Sequence, residues 1–340
     1  MGERPSHIVD CNRLPGMSHP ERLSASGGEP VGTIAEPPHM NGRSSESLAE
    51  FAARHGLTQS AARPSPRRYV QELWQRRTFI WAFASAKTTS TYSSSRLGQL
   101  WQVLTPLLNA GVYYLIFGVL IGTNRGIDNY TAFLITGVFV FTFTQRSLTA
   151  GARSIGNNLS LIRALHFPRA SLPFAHVLME LQQLLISMAV LLVIVVATGE
   201  PITWHWLLMV PILLLQLLFN TGISLAIARL GAFVRDVQQL LPFITRSWLY
   251  FSGVFFLIPD MGRKFAEKGY PWVGKILEAN PASVFLELMR ASLLTSFRKD
   301  VQPYDVDFAR LWLYAVLWAV IAFIGGFWYF YRAEERYGRG

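Results

Sequence analysis

The sequence predicts an all-α integral membrane protein, with six transmembrane helices preceded by an amphipathic cytoplasmic interface helix. Three observations predict it. Only 15 % of the 340 residues are charged and 51 % are hydrophobic, where soluble chains carry about 25 % charged residues. Six apolar runs are long enough to cross a bilayer, which takes about 20 mostly apolar residues. The basic residues fall mostly between those runs rather than on one compact face, as membrane proteins distribute them. The net charge of +10 therefore does not point to nucleic acid. The single cysteine, Cys11, excludes an internal disulfide and a cysteine-rich metal site.

Residues 1–66 contain many Pro, Gly, Ser and Glu, as in "RLSASGGEPVGTIAEPPHMNGRSSES". Such a segment buries too little apolar surface to offset its ordering entropy. It is expected to be a disordered polar cytoplasmic tail, with one short helix possible in "SLAEFAARHGL" from Ser47. A folded partner-binding element is the alternative. The amino terminus lacks the apolar core of a signal peptide, so none is expected.

Residues 67–98 form the interface helix and the lead-in to the first span. Tyr69, Leu73, Phe79, Ile80 and Phe83 mix with Arg67, Arg68, Arg76, Arg77 and Lys87, and Trp74 and Trp81 flank the middle. Indole rings favour the membrane–water boundary and arginines meet anionic head groups. Tyr69, Leu73, Trp74, Arg77 and Trp81 are the candidate membrane-surface residues, with anionic lipids as their partners.

Residues 99–335 are read as the transmembrane domain, with spans at 99–122, 130–152, 170–199, 201–228, 237–259 and 311–331. Only Arg146, Glu180 and Arg246 place a charge inside a span. The short connectors alternate between poor and rich in arginine. Arg153, Arg163, Arg169, Arg229 and Arg235 lie on one side, and Arg332, Arg336 and Arg339 follow the last span on that side. That side is expected to be cytoplasmic, which puts both termini inside a multi-pass plasma-membrane protein. Residues 260–310 are then extracellular, and the apolar stretch 281–297 is short enough to dip into the outer leaflet without crossing.

Between the second and third spans lies "NNLSLIRALHFPRASLP". "NNLSLIRAL" can form two helical turns with Asn157 or Asn158 as a cap, and Pro168 ends them. Leu159, Ile162 and Leu165 fall near one face, suited to a groove on a soluble partner. A plain hairpin linker is the alternative. No metal is assigned, because His166 and His176 lack further ligands at metal-site spacing. No GxxxxGK[ST] phosphate loop occurs, so the chain is expected not to be an enzyme, and ATP hydrolysis must sit on another chain.

Taken in order, these features resemble the membrane subunits of type-2 ABC exporters that move polysaccharides on lipid carriers, including O-antigen and teichoic acid exporters. The resemblance rests on the interface helix, on Leu97, Gly98, Leu100, Trp101 and Pro106 in "SRLGQLWQVLTPLL", on the segment at 157–168, and on Asn280, Pro281 and Arg290 in "NPASVFLELMR". It implies a homodimer of this chain with two ATP-binding subunits that carry ATP and magnesium, and a lipid-diphosphate-linked glycan as cargo. It makes 157–168 a coupling helix, whose contacts to the ATPase would be Asn158, Leu159, Leu161, Ile162, Arg163 and Leu165. The long tail and the alanine- and arginine-rich composition further resemble actinobacterial galactan exporters, which implies the lipid-linked galactan precursor of cell-wall arabinogalactan.

A glycan path needs aromatic faces and hydrogen-bonding groups. Phe139, Phe143 and Arg146 lie at i, i+4 and i+7 on one helix face, and Arg246 and Tyr250 repeat the i, i+4 spacing. At 1.5 Å per residue both arginines fall in the inner half of the membrane, roughly 9 Å and 14 Å from the cytoplasmic ends of their spans. An arginine there is expensive and points to function, here contact with the diphosphate. Snorkelling, or pairing of Arg146 with Glu180, is the plain alternative. Other functions with this membrane pattern are export of a drug or small lipid, a membrane enzyme of glycan assembly, and a non-transporting scaffold.

Overall fold

The computed structural model describes Arg54 and residues 64–92, 96–122, 127–165, 167–234, 236–298 and 307–337. Contacts divide the chain into units 1–60 and 61–340, and the helical bundle belongs to the second. The expectation for the tail lies almost wholly outside the described residues. Those residues form helices and turns, with no strand among them.

Residues 69–92, expected as one interface helix, fall in two: α1 (Pro66–Gln75) and α2 (Arg77–Tyr92), which meet at Arg76. The next helix is α3 (Trp101–Tyr113), continued by a π-helical turn at Tyr114–Leu120. Next come α4 (Tyr130–Ser154), the short α5 (Leu159–Ala164) and α6 (Ser171–Ala197). A 3₁₀ turn at Trp204–Leu208 leads into α7 (Met209–Phe233), and α8 (Asp236–Phe251) comes after it. Three shorter helices, α9 (Ile258–Glu267), α10 (Pro271–Ala279) and α11 (Pro281–Leu293), precede α12 (Phe308–Tyr331).

The expectation of six spans is corrected. Four helical stretches are long and apolar enough to cross a membrane by length and composition: Trp101–Leu120, Ser171–Ala197, Trp204–Phe233 and Phe308–Tyr331. The runs at 130–152 and 237–259 do not qualify, for different reasons. Helix α4 has the length, but Thr142, Thr144, Gln145, Arg146 and Ser147 interrupt its apolar character. Most of it is buried among the other helices. Helix α8 stops at Phe251 after 16 residues, with Pro242 inside it. Its rise of about 24 Å is less than the roughly 30 Å of a hydrocarbon core.

The stop at Phe251 is imposed by α11. Asn280 Nδ2 donates to Phe251 O at 3.2 Å, and its Oδ1 accepts from Trp248 Nε1 at 2.8 Å. Arg290, with no exposed surface, donates to Gly253 O at 2.8 Å and Val254 O at 3.0 Å. It also pairs with Glu287 and lies over the Phe133 ring. Carbonyls freed by the end of a helix need such donors when buried. Gly137 leaves room for this guanidinium, since a Cβ there would sit 2.7 Å from Arg290 Nη2. Helix α11 is itself buried along most of its length, packed on α4, α7 and α12.

Helices α4 and α6 run antiparallel. Asn129 Nδ2 donates to Thr198 Oγ1 at 3.0 Å near one end, and Arg146 Nη1 donates to Gln183 Oε1 at 2.9 Å nearer the other. Helix α7 runs parallel to α4, where Gln216 Nε2 reaches Val140 O at 3.0 Å. Helices α7 and α12 are also parallel. They touch through Gly222 and Gly326, where a Cβ on either glycine would collide with the facing backbone. Small residues allow such backbone approach between membrane helices.

Candidate functional site

Three places gather the residues singled out by the sequence, and the first is the end of the bundle that carries the basic connectors. Helix α5 sits there after a 3₁₀ turn at Gly156–Asn158. Asn158 stands at its amino terminus but makes no capping bond, and its Nδ2 donates to Ser154 O at 2.7 Å instead. Ile162 is buried in a cluster with Tyr69, Ile155, Leu172 and Phe330, and Leu159 and Leu161 pack against that cluster. Arg163 and Leu165 point outward, with Leu165 52 % exposed. Of the six candidate contact residues, the last two therefore offer the most surface to a partner.

Behind α5 lies a buried polar knot that sequence reasoning missed. Glu334, in the turn after α12, accepts from Tyr69 Oη at 2.8 Å and from Arg169 N at 2.9 Å. The Arg169 guanidinium also donates to Glu334 O. Tyr69 Oη accepts from Ala170 N at 3.1 Å, and Tyr331 Oη donates to Pro64 O at 2.6 Å. The knot ties α1, the connector after α5 and the end of α12 together. Burial pushes the Glu334 carboxyl above its ordinary value, although the bonds from Arg169 and Tyr69 pull the other way. Burial and the neighbouring Glu334 charge hold the Tyr69 phenol neutral, well above its ordinary value.

Leu73 packs on the same cluster as Tyr69. Trp74 and Trp81 are 70 % and 57 % exposed, and the Arg77 guanidinium lies over the Trp74 ring. The five interface candidates thus divide into two inward anchors, Tyr69 and Leu73, and an outward set of two indoles and one cation.

The second place is a cleft between α4 and α6 lined by Phe139, Phe143, Arg146, Glu180 and Gln183. Phe139 and Phe143 are buried in the main core. Arg146 turns to Gln183, and Glu180 lines the same cleft with a buried Oε2 that has no hydrogen-bond partner. The cleft has about 20 Å³ of room, enough for about one water molecule and far too little for a sugar.

The third place is the outer side of α3 and α8. Arg246 and Tyr250 are exposed there, with Leu240, Phe243 and Ile244 beside them. Tyr250 packs on Phe117 and Phe255, and Phe255 meets Tyr113 edge-on at 5.0 Å and stacks on Phe117 at 4.2 Å. The structure therefore separates the two arginines: Arg146 faces inward to α6, and Arg246 lies on a face lined with aromatic rings. Their helices are joined by Gln145 Nε2, which donates to Thr245 Oγ1 at 3.3 Å. Among the described residues, no cluster of three His, Cys, Asp or Glu could hold a metal ion.

Long apolar helices, basic connectors at one end and a buried polar core define a multi-pass helical membrane protein. A family model for ABC-2 type transporters matches residues 78–294, and the chain belongs to that family of membrane permeases. It is a transport subunit and not itself catalytic, and its sequence carries no nucleotide-binding motif. It is 29 % identical over 189 residues to the O-antigen export system permease protein RfbA of Myxococcus xanthus, covering 56 % of this chain and 72 % of that protein. It is 31 % identical over 176 residues to the protein of the same name from Klebsiella pneumoniae, covering 52 % of this chain and 67 % of the relative.

Proposed function

We propose that the chain is the membrane subunit of an ATP-driven exporter that carries a lipid-diphosphate-linked polysaccharide outward across the plasma membrane. Similarity to O-antigen export permeases supports the cargo class. The observation that carries the proposed path is the exposed face of α3 and α8. The apolar stretch Trp101–Leu120, α3 with its π-helical turn, is only 17 % buried, and it stands beside Arg246, Tyr250 and the ring cluster of Tyr113, Phe117 and Phe255. Aromatic faces suit the C–H faces of sugars, and a guanidinium suits phosphate. A second copy of the chain closes this face into a path, so the exporter is a homodimer.

The basic end faces the cytoplasm, with both termini inside. There Arg163 and Leu165 meet an ATP-binding subunit that carries ATP and magnesium, with Asn158, Leu159, Leu161 and Ile162 holding α5 in shape behind them. The partner's closure on ATP pushes α5, and the knot at Glu334 passes the push to α1 and α12. Trp74, Arg77 and Trp81 rest on anionic lipids of the inner leaflet. For the glycan we propose the galactan precursor of arabinogalactan, supported by the resemblance of tail and composition to galactan exporters.

The test is flux in vesicles that contain this chain and its ATP-binding partner. ATP-dependent movement of a defined lipid-linked galactan, with ATPase stimulation by that glycan, is the expected result. Stimulation by small lipids or drugs but not by any lipid-linked glycan would overturn the cargo class, and stimulation by another glycan alone would overturn galactan.

A further inference from the structure

A cavity of about 290 Å³ opens at the end of the bundle opposite the basic connectors. Its size is near the roughly 300 Å³ lower bound of small-molecule sites. Leu208 from the 3₁₀ turn, Ile212 from the start of α7, Leu288 and Ala291 from α11, and Phe308 and Trp312 from α12 give it an apolar wall. His205 and Arg298 add polar groups, and the His205 ring stacks on Trp204 at 4.1 Å. Trp204 is 69 % exposed, Trp206 lies in the same 3₁₀ turn, and Trp312 lies near the start of α12. Indoles gathered where two spans begin mark the membrane–water boundary.

Arg298 gives the cavity its charge. Its Nη2 donates to Thr203 Oγ1 at 2.6 Å, and its Nε is buried with no hydrogen-bond partner. Among the described residues it has no carboxylate partner. Glu200 is engaged by Thr295 and Asn129, and Asp307 caps the start of α12. A guanidinium cannot lose its proton and carries more donors than one threonine can satisfy. An anion with several acceptor oxygens would satisfy them, most strongly a phosphate, which a guanidinium can bind through two parallel hydrogen bonds.

We propose that this cavity binds an anionic phospholipid of the outer leaflet, with one acyl chain along the apolar wall and the headgroup phosphate on Arg298. Three features fit such a ligand together: an apolar pocket between two spans, a boundary of indoles, and an arginine with no carboxylate partner among the described residues. The chemistry of the pocket is independent of the cargo. The choice of leaflet rests on the orientation proposed for the exporter.

The test uses the full chain, stripped of lipid in detergent and titrated with phosphatidylglycerol, phosphatidylcholine or inorganic phosphate under native mass spectrometry. The wild-type protein should retain phosphatidylglycerol over phosphatidylcholine, and phosphate should not displace it. Arg298→Gln should lower phosphatidylglycerol retention about tenfold and remove the preference. Ala291→Phe, which fills the cavity and keeps the arginine, should lower retention of both lipids while the protein stays monodisperse. Equal retention of the two lipids by the wild-type protein, or unchanged retention in a monodisperse Ala291→Phe variant, would overturn the site. Competition by inorganic phosphate would show an anion site without an acyl chain, which also overturns it. Ile202→Cys, made together with Cys11→Ser so that it is the single thiol, should react with an impermeant reagent from outside the cell. Reaction only from inside would overturn the leaflet and leave the lipid titration as the separate test of the pocket.

Discussion

The basic end of the bundle and the outer face of α3 and α8 are built on opposite plans. At the basic end, Glu334, Tyr69 and Arg169 close a buried hydrogen-bonded knot from three distant parts of the chain. On the α3–α8 face, Arg246, Tyr250 and Phe243 stand exposed on one side of a short helix whose other side packs inward through Leu241, Thr245 and Leu249. Buried hydrogen bonds fix one geometry, because leaving any one of them unmade is costly. An exposed aromatic face fixes nothing until something covers it. The difference matches the roles we propose for them, transmission for the knot and cargo contact for the face.

The comparison is broken most severely by Ile162→Asp. It buries a carboxylate in the cluster of Tyr69, Leu172 and Phe330, at a cost of several kcal/mol or about the whole stability margin. Poor recovery of monodisperse protein is expected. Leu165→Asp, three residues on and exposed, should leave folding intact and reduce ATPase stimulation by cargo. Equal behaviour of the two variants on gel filtration would contradict the inward and outward assignment within α5.

Glu334→Ala comes next. It strands the Tyr69 hydroxyl and the Arg169 amide, at about 1–3 kcal/mol for each buried group left unsatisfied. A lower melting temperature in detergent is expected. Glu334→Gln keeps two polar atoms in place and should lose less. The pH dependence sharpens the assignment. Burial raises the folded pKa of Glu334 above the ordinary value of 4.5. Its contribution is therefore full below that ordinary value and is lost as pH rises through the folded value. Arg169, Tyr69, Tyr337 and Glu72 are the ionisable groups around it. The fall in melting temperature as pH rises from about 4.5 should be weaker in Glu334→Gln, and an identical slope would remove Glu334 as its source.

The smallest effect concerns the membrane surface. Trp74→Ala with Trp81→Ala removes two exposed rings and no core contact of the bundle. Activity should become more dependent on anionic lipid, by a factor of about two to five, while the melting temperature stays within about 1 °C. A large loss of stability would mean that these indoles pack on protein.

Much of this was legible in the chain. Low charge, long apolar runs and arginine-rich connectors indicate a helical membrane protein, and the ordered motifs indicate its family. The polar residues within 142–147 that disqualify the run at 130–152 stand in the sequence, but the loss of the run at 237–259 was not legible, because hydropathy does not report where a helix stops. The run at 237–259 is largely apolar, yet Asn280 and Arg290, some thirty to forty residues later, hold its carbonyls and end α8 at Phe251. The spacing of Phe139, Phe143 and Arg146 placed them on one face, but only packing shows that this face meets α6. The knot was hidden for a different reason. "YRAEERYGRG" reads as a charged end, and nothing local marks Glu334 as the partner of a tyrosine 265 residues earlier. The Asn280 and Arg290 pair had one signal, their place in the "NP…R" pattern.

The most direct measurement compares Arg246→Gln with Arg146→Gln in vesicles that contain the ATP-binding partner, following ATP-driven movement of lipid-linked glycan. Arg246→Gln should assemble normally and lose about tenfold or more of the flux, while Arg146→Gln, which alters an internal cleft, should lose less at equal assembly. Full flux through Arg246→Gln would contradict the passage of cargo along the α3–α8 face.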